Sequence, residues 1–287
     1  CSNITLRREW RTLDASQRQE YTAAVQCLKT KPSRLHLNHT LYDDFPWVHS
    51  RVGEYVHDAA PFLAWHRYFI HIYELALKDE CVYTGTLPYW NWELDWSNIT
   101  QSPIWDSTTG FGGDGSPSSS TKGPILDGYC VSDGPFAGLQ ILYLDSNHYP
   151  HCLSRGFLHE DELLEQAEQL KPEKLEVLHR LDGYEEFNLG VEHGPHLAVP
   201  RSIRGDFSLL TAPSDPVFFL HHAQLDRVWW RWQAVKVKRK MAYAGLAARG
   251  SESRAETSDL LDMGGLAPML PVSEILDTTS GLLCYTY

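Results

Sequence analysis

The hydrophobic positions of this chain repeat mainly with the spacing of an α-helix. Leu41, Phe45, Val48 and Val52, for example, fall on one face of a helix and leave the opposite face to polar residues. Pro61 suits the first turn of another periodic run. The pattern predicts helices over residues 14–29, 40–56, 61–78, 161–169, 181–197 and 215–238. Any strands are expected to be short.

The segments between these runs indicate one domain rather than several. Residues 110–123 are rich in Gly, Ser and Pro without periodicity, which predicts a surface loop and not a linker. Residues 88–92 form an aromatic turn that we interpret as packing. The pattern therefore predicts a mainly α single domain over residues 1–287, with long loops. Its four central helices would turn histidines inward, as metal-binding bundles do.

The last long predicted helix carries the most informative run, DPVFFLHHAQLDR, from Asp215 to Arg227. Ser214 or Asp215 is suited to cap its start. His222 and Asp226 stand one turn apart on the same face. A metal-bound imidazole usually has its second nitrogen held by a carboxylate or carbonyl, so Asp226 is the expected partner. The alternative is a buried histidine pair without a metal.

A second group of histidines strengthens the metal hypothesis. His49, His57 and His66 follow one another at short intervals, and His66 lies within an aromatic, apolar run. Neutral imidazole is a good ligand for copper, zinc, iron or nickel. Structural zinc is disfavoured, because no Cys-x-x-Cys pair accompanies the histidines.

The composition limits the classes of function. The chain has 287 residues, 43% of them hydrophobic, enough for one large or two small domains. No hydrophobic run reaches the roughly 18 residues of a membrane span, so no membrane partner is expected. The formal net charge of −12 argues against nucleic acid, since phosphate groups are bound by basic surfaces.

Three stretches resemble fungal polyphenol oxidases. They are FLAWHRYF, YELALKDECVYTGTLPYWNWE and DPVFFLHHAQLDRVWWRWQ. The resemblance to these type 3 copper enzymes, which are tyrosinases, catechol oxidases and o-aminophenol oxidases, covers essentially the whole chain. It is closest to the short secreted members and implies two copper ions in a central four-helix bundle. Tyr285-Thr286-Tyr287 resembles the Tyr-x-Tyr element that closes the family's catalytic core, so we expect no lid domain after it.

The resemblance implies four of the copper ligands directly. His49, His57 and His66 match the ligands of the first copper in order and spacing. His222 matches the last ligand of the second copper, and its neighbour His221 is expected to pack or to support the site.

The other ligands of the second copper stay open. Relatives usually show His-x-x-x-His near the end of a helix, whereas Pro200 stands one turn after His196 here and should end or bend the helix. His193 is the expected substitute, either from the neighbouring helical turn or as the partner of His196 with one residue lost between them. Alternatively, only His196 and His222 hold the second copper, weakly or not at all. We predict that His193 completes the site.

Other positions depart from the family pattern or match it incompletely. Tyr55 replaces a cysteine that many fungal relatives link covalently to a ligand histidine. Leu197 replaces an asparagine that accompanies strong monophenol activity in relatives. Glu186 lies one position from the glutamate that orients a water in the family. Leu209 stands where a bulky residue often limits access to the second copper, and should still admit a flat ring.

Several features predict an extracellular protein. Sequons at Asn3, Asn38 and Asn98 would carry N-glycans, and the even number of cysteines is typical of secreted chains. Cys1 is expected to be a processed N-terminus. The cysteines are expected to pair as Cys1–Cys284, Cys27–Cys81 and Cys130–Cys152, although free buried thiols would also fit the sequence.

Together these features predict a monomeric oxidase with two copper ions. It would convert o-diphenols or o-aminophenols to quinones or quinone imines, with O2 reduced to water and weak or no hydroxylation of monophenols. Its partners would be a small phenolic substrate and O2. The alternative is a degenerate relative with an incomplete second site that binds copper or O2 without catalysis.

Overall fold

The computed structural model of the protein describes residues 1–117, 125, 127–279 and 281–287. It is mainly helical with short strands, which confirms the predicted fold class. The α-helices of these residues are α1 (Ala15–Leu28), α2 (Leu41–Val56), α3 (Pro61–Cys81), α4 (Glu160–Ala167), α5 (Pro172–Arg180), α6 (Tyr184–Val191), α7 (Leu197–Ile203) and α8 (Val217–Val235). A five-residue π-helix, Glu192–His196, joins α6 to α7.

The strands are peripheral and short. They are β1 (Thr5–Leu6), β2 (Tyr129–Cys130), β3 (Gln140–Leu144), β4 (Asn147–Cys152), β5 (Ser154–Arg155), β6 (Leu260–Leu261), β7 (Leu270–Pro271) and β8 (Tyr285–Thr286). β1 pairs with β8 in parallel, so the two ends of the chain lie side by side. The antiparallel pairs are β2 with β5, β3 with β4 and β6 with β7. A membrane-spanning helix is absent from the described part of the chain.

The centre of the molecule is a bundle of α2, α3, α8 and the α6–α7 segment. Phe45 of α2, Phe69 of α3 and Phe219 of α8 are fully buried where three of these helices meet. Their ring centroids lie 5.5 to 6.2 Å apart, the usual range for packed aromatic pairs. This apolar packing fixes the helices around the site described below.

The disulfides confirm the predicted pairing. Cys1–Cys284 joins the two ends of the chain, Cys27–Cys81 joins α1 to α3, and Cys130–Cys152 joins β2 to β4. Helix α3 is longer than the 61–78 predicted, because it continues through Cys81 to a left-handed residue at Val82.

The segment around Pro200 differs from the prediction. The helix expected over residues 181–197 begins at Tyr184, passes through the π-helix with a kink at Gly194, and continues to Ile203. Pro200 therefore lies inside α7 and does not end it. Proline leaves the carbonyl of His196 without its helical donor, and His221 Nε2 takes that place, 3.3 Å from the carbonyl oxygen.

Asp226 is engaged elsewhere than the sequence predicted. Its carboxylate accepts hydrogen bonds from Arg7, Arg67, Tyr285 and Tyr287, all of them buried or half-buried. The prediction that it holds the second nitrogen of His222 is therefore wrong. The helical periodicity correctly predicted the helix face on which Asp226 lies. It could not predict that guanidinium groups from other segments bind this carboxylate.

Other predicted boundaries differ by a few residues. Helix α8 starts after Pro216 and ends at Val235, and α4 ends at Ala167. In the predicted 110–123 surface loop, residues 118–123 lie outside the described residues. Phe111 and Gly112 are buried, contrary to the predicted surface position, and the guanidinium of Arg155 donates to the carbonyl oxygens of both.

Candidate metal centre

Three histidines converge where α2 and α3 meet. His49 lies on α2, His57 ends it, and His66 lies one turn into α3. One ring nitrogen from each residue lies within 4.8 Å of the others. The Nε2 atoms of His49 and His66 are 3.2 Å apart. The structure thus brings together the three histidines predicted to hold the first copper.

Backbone carbonyl groups fix the orientation of these rings. His49 Nδ1 donates to the carbonyl oxygen of Leu210 at 2.6 Å, His57 Nδ1 to that of Gly53 at 2.5 Å, and His66 Nδ1 to that of Phe62 at 2.7 Å. A carbonyl accepts only, so the proton sits on Nδ1 and the lone pair on Nε2. Three lone pairs thus face one another, the arrangement that a bound cation requires.

The electrostatic environment keeps the imidazoles neutral. Burial, reinforced by the nearby His57, lowers the pKa of His49 to about 3. Burial also lowers the pKa of His57 and, with its histidine neighbours, that of His66. Neutral imidazole is the form that binds a metal, so the donor set fits copper at neutral pH.

Two further histidines lie on the opposite side of this group. His196 lies where the π-helix meets α7, and His222 lies on α8. Their ring centroids are 5.3 Å apart, and the ring of His222 stacks on that of His66 at 4.3 Å. Burial and nearby histidines lower the pKa of both. Nδ1 of His196 faces the carbonyl oxygen of Glu192 at 3.3 Å, whereas Nδ1 of His222 has no partner among the described residues.

His193 is placed apart from these imidazoles. Its side chain is 56% exposed, and its Nε2 lies 2.6 Å from Oδ1 of Asp58. Its ring nitrogen lies close to the carboxylate oxygens of Asp58 and Glu192, and not in a cluster with the nitrogens of His196 and His222. The kink at Gly194 separates the face of His193 from that of His196. The predicted completion of the second site by His193 is therefore not what this geometry favours.

Of the residues predicted to support the site, some line the cavity and others do not. Leu197 and Leu209 line the cavity beside the histidines, as does Pro200. Glu186 does not, because it is exposed and its carboxylate lies against Gly183 at the start of its own helix. Tyr55 is 60% exposed.

Glu192 is a residue of this cavity that sequence reasoning missed. It is buried at 2% exposure, and its Oε1 accepts from the backbone N–H of Asp58 at 2.8 Å. Its Oε2 is buried without a hydrogen-bond partner among the described residues, and burial raises its pKa to about 8. Nothing in the sequence signals this, since glutamate side chains are mostly exposed in folded proteins.

The cavity above the histidines has a volume of about 270 Å³. His49, His57, His196 and His222 form its floor. Its walls are mainly apolar, and the polar side chains of Asp58, His193 and Arg249 also line it. Its size and lining suit one small aromatic molecule.

Comparisons with known proteins agree with this geometry. Residues 39–235 match a family described as the common central domain of tyrosinase. The chain is similar to Tyrosinase ustQ of Aspergillus flavus, with 42% identity over all of this chain and 80% of that relative. It is 29% identical to N-acetyl-6-hydroxytryptophan oxidase ivoB of Emericella nidulans, over 99% of this chain and 92% of that one. A solved polyphenol oxidase from Thermothelomyces thermophila superposes with a TM-score of 0.83 at 28% identity, covering 99% of this chain and 88% of that chain.

Proposed function

This chain belongs to the tyrosinase family of type 3 copper proteins, and from that premise we propose that it oxidises o-diphenols or o-aminophenols with O2. One observation carries the proposal: five neutral imidazoles, four of them buried and that of His57 partly buried, converge from the central helices beneath a cavity sized for one aromatic ring. Neither a buried packing histidine nor a structural zinc site requires such a group.

The proposed ligands follow from where the imidazoles lie. His49, His57 and His66 would hold the first copper, and His196 and His222 the second. In this arrangement the second copper has two protein imidazoles, since Pro200 has no donor atom and His193 faces Asp58. When bound, the copper pair supplies the redox chemistry, taking two electrons from each substrate molecule and passing four to O2.

The protein's own contribution is binding and positioning. Leu197 and Leu209 present apolar walls against which a flat ring packs. Each substrate loses two protons with its two electrons, so two substrate molecules and one O2 give two quinones, or quinone imines, and two waters. Leu197 offers no hydrogen-bond acceptor to hold a water near an incoming phenol. Substrates that already carry two heteroatoms on adjacent carbons are therefore favoured over monophenols.

A second candidate function rests on Pro200. A copper held by only two imidazoles binds weakly, and a protein that loses it would bind one copper and would not oxidise phenols. Copper binding without O2 uptake is the result that selects this candidate.

Several further properties belong to the proposal. We propose one catalytic domain over residues 1–287 and a monomeric, secreted protein. The three disulfides support secretion. Asn3, Asn38 and Asn98 are all exposed, as glycan acceptors must be.

Oxygen uptake with matched substrates tests the reaction class. The protein is loaded with Cu(II) and given catechol, 2-aminophenol or phenol at equal concentration. Uptake with the first two and little with phenol is expected. Faster uptake with phenol would contradict the proposed role of Leu197, and no uptake with any of them would select the second candidate.

A further inference from the structure

We propose that Asp58, Glu192 and His193 form a separate site for one zinc ion at the rim of the cavity. The proposal does not depend on oxidase activity, because none of the three belongs to the five converging imidazoles. Each offers a ligand atom, and the three atoms lie within 4.8 Å of one another. Carboxylate oxygens and imidazole nitrogens are both ligand atoms of zinc in proteins, and a site with three protein ligands leaves the fourth position to water.

Irregular backbone brings the three residues together. Asp58 has a positive φ of 54°, so the chain turns sharply after His57 and presents its carboxylate to the π-helix. The π-helix in turn places Glu192 and His193 side by side, facing Asp58. His193 Nε2 is already 2.6 Å from Oδ1 of Asp58. A zinc ion would replace this hydrogen bond with two bonds to the metal.

The Glu192 carboxyl group provides the second, independent indication. The residue is only 2% exposed, and one of its carboxylate oxygens lies within 4.8 Å of the ligand atoms of the other two residues. Its Oε1 is held by the N–H of Asp58, but its Oε2 is buried without a partner among the described residues. A buried carboxylate without a partner is unfavourable, and a bound cation satisfies it.

The surroundings allow a metal to enter and stay. The side chains of Asp58 and His193 are 41% and 56% exposed, so the site opens to solvent. Arg249 Nε lies 3.3 Å from Oδ2 of Asp58, on the other oxygen from the one that faces His193. The guanidinium therefore offsets one carboxylate charge without occupying the ligand position.

The site has a structural consequence for the histidine centre. Asp58 follows His57 directly, and Glu192 and His193 precede His196 by one turn. Zinc would therefore fasten together the two segments that carry His57 and His196. We infer that it restrains the cavity floor on the side where Pro200 provides no ligand.

Zinc counting on the copper-loaded full chain tests the site. The protein is dialysed against ZnCl2, with MgCl2 as a comparison, and zinc and copper are counted in the same sample. One zinc is expected in addition to the copper, with a raised Tm and no retained magnesium. His193→Ala and Glu192→Gln should each lose the zinc, whereas His159→Ala, which removes an exposed histidine elsewhere, should keep it.

One further variant is expected to strengthen zinc binding. Arg249→Ala removes a competing cation from Asp58, so it should bind zinc more tightly than the unmodified chain. The proposal is overturned by three results: no zinc above the copper, zinc that replaces copper one for one, or zinc that persists in both His193→Ala and Glu192→Gln. A chain that binds zinc in this way but has no oxidase activity would contradict the proposed function and still support the zinc site.

Discussion

Backbone carbonyl groups orient the histidines of the centre for metal binding. The carbonyl oxygens of Leu210, Gly53 and Phe62 accept hydrogen bonds from the Nδ1–H groups of the three rings, so the Nε2 lone pairs face inward. Burial keeps the rings neutral. Little rearrangement is needed for a cation to enter, because the ligands are already deprotonated and oriented.

Removal of single imidazoles should remove single copper ions. His57→Ala takes one of three ligands from the first site, and His222→Ala one of two from the second, so each variant is expected to retain one copper per chain. His148→Ala, at an exposed strand position, is the matched control and should retain both. Metal analysis that finds two coppers in both site variants would contradict the assignment.

The preference against monophenols should respond to Leu197. Leu197→Asn introduces an acceptor beside His196 in the cavity wall, where it is able to hold a water or a phenolic proton. The rate with phenol relative to catechol is expected to rise. Leu209→Asn places the same amide elsewhere on the cavity wall and should change this ratio less. An unchanged phenol-to-catechol rate ratio in Leu197→Asn would show that Leu197 does not determine the choice of substrate.

The sequence predicted which histidines converge better than it predicted the hydrogen-bond partners of individual side chains. It selected the five histidines that converge through their match to the family's motifs, and with them His193, which lies apart. It misplaced the partner of Asp226, because a one-turn spacing gives the face of a helix and not what packs against it. It did not single out Glu192, whose burial depends on the loop after His57.

Among the elements, the segment from α6 to α7 departs most from expectation. The sequence predicts that Pro200 ends or bends the helix, and the structure places it within α7. The reason lies in another helix: His221 of α8 donates to the carbonyl of His196 that Pro200 leaves free. One sequence contains no signal for such compensation between elements, whereas the periodic helices α1, α2 and α3 were predicted closely.

The helical backbone at Pro200 makes a gain of ligand testable. Pro200→His places an imidazole one turn after His196, on the same face of α7. The second copper should bind more tightly, which would be measured as copper retained during dialysis against a chelator. Pro200→Ala restores the backbone N–H without a ligand and should retain no more copper than the unmodified chain. Equal retention in all three would place the side chain at position 200 outside the site.

At the scale of the whole molecule, the ends of the chain are fastened to the core. The Cys1–Cys284 disulfide and the pairing of β1 with β8 hold them side by side. Arg7 and Tyr287 then reach Asp226 of α8, the helix that also carries His222. The chain termini therefore support the helix that supplies a proposed copper ligand.

Asp226→Ala should destabilise the whole protein. It leaves Arg67 buried without its carboxylate, whereas Arg7 keeps Glu74, and the loss of the buried pair costs about 3–5 kcal/mol. The denaturant midpoint of the metal-free protein would measure this. Glu176→Ala breaks an exposed ion pair with Arg180 and should leave the midpoint nearly unchanged. Equal midpoints for the two variants would show that the Asp226 network contributes no more than a surface pair.

We propose that the converging imidazoles form an oxidase centre and not only a binding site. Oxygen uptake with catechol, measured on copper-saturated protein with copper counted in the same sample, tests it most directly. Uptake is expected to rise with the bound copper, to be absent in His57→Ala and His222→Ala, and to consume one O2 for every two catechols. A sample that holds its full copper and consumes no oxygen would contradict it.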